Sequence, residues 1–167
     1  MESIFAATPN IESVRLLLAD AARRCRTVGP LKGNVCLMVI DIKRAYFYAP
    51  SQQPIYVRLP PEDPKSNDPM VCGRLCKSLY GTRDAGANWH LAYSSFLQRI
   101  GYDQGVANPC HFNNRQEGVK GLVHGDDFLF SGSPSALLKL KKAFVNEYDC
   151  KVEMVGNEPG FQKSARF

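Results

Sequence analysis

The chain has 167 residues, of which 44% are hydrophobic and 22% charged, which suits one globular domain with its own core and is too short for an enzyme of several subdomains. A net charge of +5 and a pI near 8.9 permit a nucleic-acid partner without requiring one, because many basic soluble domains carry the same balance. No apolar run approaches the ~18 residues of a membrane-spanning helix, so no membrane partner is expected.

In chain order, Thr8-Pro9 reads as a helix start, with a hydroxyl at the cap and proline in the first turn. Ile11, Val14, Leu17, Leu18, Ala21, Ala22 and Cys25 then recur at helical spacing, and the helix is expected to end near Thr27–Pro30. Val35–Asp41 is a near-continuous apolar run, the mark of a strand covered on both faces. Tyr46–Pro50 should open with a helical turn. Ile55–Leu59 alternates as a strand. The stretch from Pro60 to Pro69 holds four prolines and should be an exposed loop, after which Met70–Tyr80 reads as a strand returning to the core.

Asp84 should cap a second helix with Trp89, Ala92, Tyr93, Phe96 and Ile100 on one face and Gly101 as its stop. Trp89 is the only tryptophan, and core packing is its default role. Cys110–Asn113 and Gly118–His124 read as short strands, and Phe128–Ser131 completes a hairpin. Ser133-Pro134 starts a third helix with Leu137, Leu140, Phe144 and Tyr148 inward and Lys139, Lys141 and Lys142 on a solvated face. Cys150–Val155 forms a last strand. The expected fold class is α+β, an antiparallel sheet with helices packed on one face.

The six cysteines are Cys25, Cys36, Cys72, Cys76, Cys110 and Cys150. With no secretory leader ahead of them, a reducing intracellular location is expected rather than a disulfide framework. Cys72, Cys76, Cys110 and His111 have irregular spacing for zinc, and inert thiols explain them better. Ala22–Arg26 is too short for a nuclear-localisation cluster, and a solvated helix face accounts for it.

The chemistry concentrates in Gly121–Gly132, where Asp126 and Asp127 sit at the tip of an apolar hairpin. Adjacent like charges repel, more so on burial, unless a cation neutralises them. Hard carboxylate oxygens suit magnesium or manganese. A plain surface turn is the competing reading, since Gly-Asp is a favoured turn dipeptide. Asp41, at the end of the apolar strand, adds a third acid. It could instead end the strand as a cap or pair with Lys43 or Arg44. One acid on a central strand and two on a neighbouring hairpin can clamp two metals roughly 3.5–4 Å apart.

Asp41-Ile-Lys-Arg-Ala-Tyr46-Phe47, Ile55-Tyr-Val-Arg-Leu-Pro-Pro61, Leu75-Cys-Lys-Ser-Leu-Tyr-Gly81, Trp89 and the His124-Gly-Asp-Asp127 box follow one another in order. Each box alone is weak, but the ordered set is specific. From about Thr8 to about Gly156 the chain resembles the reverse transcriptase of copia-type (pseudoviral) LTR retrotransposons. The resemblance implies a single polymerase palm-like domain over residues 1–167 and RNA-directed DNA polymerase activity. It implies Asp41, Asp126 and Asp127 as catalytic metal ligands for two Mg²⁺ ions, with Mn²⁺ possible. Asp41 and Asp126 would bridge both ions, and Asp127 would add a ligand or set the local field.

By the same resemblance the partners are an RNA or DNA template with its primer and deoxynucleoside triphosphates. Tyr46 is implied as the ring that rejects a ribose 2′-hydroxyl, although a packed aromatic reads the same way. Tyr80 and Gly81 would approach the nascent base pair, where a glycine lets backbone come close. Arg83 and Lys77 could touch phosphates.

Three departures stand out. His124-Gly125 replaces the family's Tyr-Val, and His124 would take over the tyrosine's primer-strand contact. Arg83–Ala87 replaces Lys-Gln-Ala-Pro-Arg, which removes a helix-opening proline. The basic fingers strands, thumb, RNase H and integrase regions are expected to lie outside the chain, so polyprotein parts could act in trans. An inactive remnant or a nucleic-acid- or protein-binding module is therefore the alternative expectation.

Overall fold

The computed structural model describes residues 7–26, 35–156 and 160–161. The expected end of the first helix, at Thr27–Pro30, lies outside them. Packing divides the described chain into two compact units, Arg44–Tyr93 and a larger one formed by Ala7–Lys43 with the residues from Ser94 onward.

The larger unit is a six-stranded antiparallel sheet with helices, an α+β arrangement. Its strands are β1 (Cys36–Ile42), β4 (Asp103–Gln104), β5 (His111–Asn114), β6 (Val119–His124), β7 (Asp127–Gly132) and β8 (Cys150–Val155), in the order β4-β5-β6-β7-β1-β8. Strand β1 lies between β7 and β8, pairing Met38 with Phe130 and with Met154. A strand flanked on both edges needs apolar residues on both faces, which explains its unbroken hydrophobic run.

Helix α1 (Ile11–Arg26) begins two residues later than Thr8-Pro9 suggests. Asn10 is the cap: its Oδ1 accepts from Ser13 N–H at 2.9 Å and from the Ser13 hydroxyl at 2.6 Å. An asparagine oxygen meets the third helical N–H as well as a hydroxyl would. Leu17 packs with Leu122, Leu129, Leu37 and Val39, so α1 covers the odd-numbered face of β1.

Helix α3 (Pro134–Glu147) uses the other face. Ser133 Oγ accepts from Ala136 N–H at 3.3 Å, and Phe144 packs on Phe128 and Phe130 with ring centroids at 5.2 and 5.8 Å. Phe96, near the end of helix α2 (Ala85–Arg99), joins this cluster at 5.1 Å from Phe144. The expectation of helices on one face is therefore corrected. Because β1 is apolar on both faces, α1 seals one and α3 the other.

Gly101 stops α2 as expected, at φ +88. Its N–H reaches Gln98 O and the Tyr102 N–H reaches Leu97 O, both at 3.0 Å, a glycine-capped end that satisfies two orphan carbonyls. Strand β4 has no sequence signal because two residues show no period. Its pairing with Phe112 and Asn113, and Gln104 Nε2 donating to Pro109 O at 2.8 Å, hold it in place.

The smaller unit has less regular structure. Ala45–Tyr48 forms a 3₁₀ turn, and β2 (Tyr56–Val57) pairs with β3 (Gly73–Arg74). The expected strands Ile55–Leu59 and Met70–Tyr80 thus shrink to two residues each. Pro50 and Pro54 have no N–H to donate, so single bonds such as Leu75 N–H to Ile55 O and Ser78 N–H to Ala49 O replace a ladder. Residues 60–69 are turns, with the Asp63 and Asp68 carboxylates accepting from Lys65 and Met70 N–H at 2.9 Å. Trp89 is buried as expected, edge-on to Tyr93 at 5.4 Å. Cys72 and Cys76, expected within a strand returning to the core, are exposed free thiols because only Gly73–Arg74 of that strand forms.

Candidate functional site

Strand β1 brings Asp41 to its C-terminal end, and the β6–β7 hairpin brings its tip to the same end of the sheet. The hairpin turn is the two-residue step Gly125–Asp126, with Gly125 at φ +65 and no positive φ at Asp126. Glycine first is the pattern that matches the right-handed twist of the flanking strands. Ile42 N–H donates to Asp126 O at 3.3 Å, tying the tip to β1.

The ladder places four side chains in one row: His124 opposite Asp127, Asp127 opposite Asp41, and Asp41 opposite Lys151. Directly opposed residues of an antiparallel sheet share a face with Cβ atoms about 4.5–5.5 Å apart. Asp41 and Asp127 are thus neighbours, and Asp126 stands beside them in the turn. All three acids and His124 are exposed. Apart from Lys120, β6 is apolar up to Val123, and β7 is apolar from Phe128 to Phe130, so the acids project at the tip.

Asp127 still has a carboxyl pushed above its usual range, first by partial loss of solvent and then by the charges of Asp126 and Asp41; His124 opposes the shift. Asp41 does not use the strand-end partner that Lys43 offered, for Lys43 Nζ lies 3.0 Å from Asp149. The cation across from it is Lys151, whose ammonium bonds Glu153 at 2.7 Å and is held above its usual range by Glu153 and, more weakly, by Asp41. Lys151 carries no signal in sequence, since only the β1–β8 register reveals it.

These hard oxygen donors, with their mutual repulsion, suit a divalent cation in kind. Among the described residues, no group of three or more His, Cys, Asp or Glu side chains is gathered closely enough to hold a metal ion as it stands.

The other expected residues meet in the smaller unit. The Tyr46 and Tyr80 rings lie 4.4 Å apart and tilted, and Phe47 meets Tyr80 edge-on at 5.7 Å. Tyr80 and Phe47 are exposed, so the three rings offer an aromatic surface. Phe47 was not singled out in sequence, though it sits beside Tyr46 in the same box. Gly81 takes φ +91, and Thr82 Oγ1 donates to Leu79 O at 2.8 Å across the turn. Below it, Asn88 Nδ2 donates to Ser78 Oγ at 3.0 Å and to Asp84 Oδ2 at 2.9 Å. Lys77 Nζ turns to Tyr48 O at 3.4 Å.

Comparison with known proteins gives these residues a context. The family described as reverse transcriptase (RNA-dependent DNA polymerase) matches residues 1–157. The truncated transposon Ty1-A Gag-Pol polyprotein of Saccharomyces cerevisiae is 34% identical over 127 residues, 75% of this chain and 10% of that protein. The transposon Ty1-DR5 and Ty1-LR2 Gag-Pol polyproteins of the same yeast show the same identity over 7% of their length. The chain therefore spans a tenth or less of these relatives. With a match over nearly its whole length, it belongs to the reverse transcriptase family and, within it, to the copia-type retrotransposon enzymes.

Proposed function

We propose that the chain carries the nucleotidyl-transfer centre of an RNA-directed DNA polymerase, built as a single palm-like domain. The observation that carries this reading is the register pair Asp41–Asp127 with Asp126 beside it. Asp41, Asp126 and Asp127 would hold two Mg²⁺ ions, or Mn²⁺, which when bound would polarise the attacking and leaving oxygens of an in-line displacement. A primer 3′-oxygen bonds to the α-phosphorus of a deoxynucleoside triphosphate, the bond to pyrophosphate breaks, and the hydroxyl proton leaves to solvent.

The chain's own residues then bind and orient. Tyr46 lies under the sugar and refuses a 2′-hydroxyl, while Tyr80 and Gly81 meet the nascent pair. The exposed Tyr80 ring, with the half-buried Tyr46 ring beside it, supports this, because aromatic faces stack on bases without regard to sequence. His124 contacts the primer strand. The remaining polyprotein parts supply further grip on template and primer, each phosphate contact adding to affinity in a salt-dependent way.

A second reading, an inactive remnant or binding module, draws on the absence among the described residues of a gathered three-ligand group. Primer extension on poly(rA)·oligo(dT) with Mg²⁺ or Mn²⁺ separates the two. Extension by the 167-residue chain that disappears with Asp41→Ala supports the polymerase. Persistent failure to extend, together with Mn²⁺ binding that Asp41→Ala and Asp126→Asn leave unchanged, sinks it.

A further inference from the structure

Strand β8 ends the sheet: β1 lies on its inner side, and among the described residues no strand pairs with its outer side. Which backbone groups face outward follows from the ladder. Lys43 N–H donates to Asp149 O at 3.0 Å, one step beyond the Ile42–Cys150 pair. Hydrogen-bonded pairs recur at every second residue of an antiparallel ladder, so Lys151, Glu153 and Val155 bond to β1. Cys150, Val152 and Met154 therefore turn their N–H and C=O groups to the open side, a template for another strand. This edge is six residues long, against two for β4 at the opposite end of the sheet.

We propose that the open side of β8 pairs with the same strand of a second copy of this chain, antiparallel and centred on Val152. In that register β8 is complementary to itself. Val152 faces Val152, Cys150 faces Met154 and Lys151 faces Glu153 of the second copy, and the two-fold axis repeats the reciprocal pairs. Residues 151 and 153 share a face, and opposite charges directly across a ladder stabilise it. Within one strand Lys151 Nζ already bonds Glu153 at 2.7 Å, with side chains 67% and 26% exposed, so both charges stand at the surface where the pairs exchange. A lone lysine would guard an edge strand against pairing; here Glu153 balances it. On the other face the half-buried Cys150 and Val152 gain apolar cover beside the buried Met154. The contact closes at two copies, because it uses the same edge of each. A single strand pair buries less than the about 1,600 Å² of a standard stable interface, so the association is reversible and grows with concentration.

Sedimentation velocity of the full chain over about a hundredfold range of concentration tests this, because a monomer–dimer equilibrium follows mass action. An ionic strength of about 0.15 M screens the net charge of +5 that each copy carries. Wild type should move from monomer towards dimer and no further. Val152→Pro removes an outward N–H without touching the β1 ladder, a place where edge strands tolerate proline. It should weaken association by about tenfold, the size of two lost hydrogen bonds, whereas Val152→Thr keeps the N–H and the dimer. Lys151→Glu and Glu153→Lys each set like charges opposite one another across the two-fold axis, and each alone should associate about tenfold more weakly. Mixed together, the two variants restore opposite charges at every facing pair, and a heterodimer should form with about the wild-type affinity. The bond within the strand is lost in both variants, so it cannot produce that recovery. These surface changes decide the matter even where the proline variant does not fold. The proposal is overturned by a chain that stays monomeric throughout, by a dimer that a folded Val152→Pro leaves intact, or by mixed variants that do not pair. A monomer whose Val152 amide resists hydrogen exchange would assign the edge to another segment of the chain, and assemblies larger than two would mean a head-to-tail contact; both also overturn it.

Discussion

Asp41 on β1 and Asp127 on β7 are direct cross-strand partners, although 85 residues of chain separate them (127 − 41 − 1). A carboxylate facing a carboxylate across a ladder is unfavourable, and Asp126 adds a third charge at the turn. The end of the sheet therefore concentrates negative charge.

That repulsion has a pH signature. The folded chain holds the Asp127 proton more tightly than the unfolded chain does. The stability this contributes is full below the unfolded carboxylate value of about 4 and is lost as pH rises through the higher folded value. At pH 7 Asp127→Asn should therefore melt above wild type. After solvent screening the gain is about 0.5 kcal/mol, roughly one to two degrees for a chain of this size. Below about pH 4 the two curves should converge. Thermal melts across pH 3 to 8 (a range set by the reference carboxylate and imidazole values, about 4 and 6.5) measure this, and a wild type that melts higher at pH 7 contradicts it.

The turn itself is a second test. Gly125 at φ +65 lies where a side chain bearing Cβ is disfavoured. Gly125→Val should cost about 1–2 kcal/mol, whereas Gly125→Asn should cost less because its short polar side chain tolerates this region. Chemical denaturation of both variants decides it, and a valine variant as stable as wild type would mean another turn.

A third concerns the middle of the hairpin. Gly121 is paired with Phe130, and a Cβ at Gly121 would strike the Phe130 ring. The ring lies over the glycine and meets Tyr102 at 5.8 Å. Gly121→Ala should therefore force the ring aside and cost about 1–3 kcal/mol. Gly118→Ala provides the contrast, for nothing lies within 4 Å of its Cβ position; its cost should come from its φ of +65 alone. A Gly121→Ala midpoint equal to wild type would show that the sheet has slack here.

Long, strongly patterned elements were legible in sequence. Cys150–Val155 forms β8 with the bounds expected, and Ser133-Pro134 opens α3 as read. The acid hairpin is where its flanking hydrophobic runs put it. Legibility failed where the cause was non-local. Hydrophobic periodicity says that β1 is buried on both sides but not which helix takes which face. It cannot see a two-residue strand such as β4, nor that prolines would leave β2 and β3 so short. The partner of Asp41 was hidden for the same reason: Lys151 lies 110 positions further along the chain. Only register brings it near.

The core behind the acids gives the last test. Phe144 is fully buried and meets Phe96, Phe128, Phe130 and Tyr148 with centroids between 5.1 and 6.0 Å. Phe128 follows Asp127, and Phe130 is paired with Met38 of β1, so this cluster backs the strands that carry the acids. Phe144→Ala leaves a cavity the rigid sheet can only partly fill, and should cost about 3–5 kcal/mol. Val145, one residue on, is 53% exposed, and Val145→Ala should stay within about 0.5 kcal/mol of wild type. Urea unfolding measures both. If Mn²⁺ binding is organised by the register of β1 and β7, Phe144→Ala should also weaken it under conditions where the variant remains folded, while Val145→Ala leaves it unchanged. Equal stability losses at the two positions would place the core elsewhere.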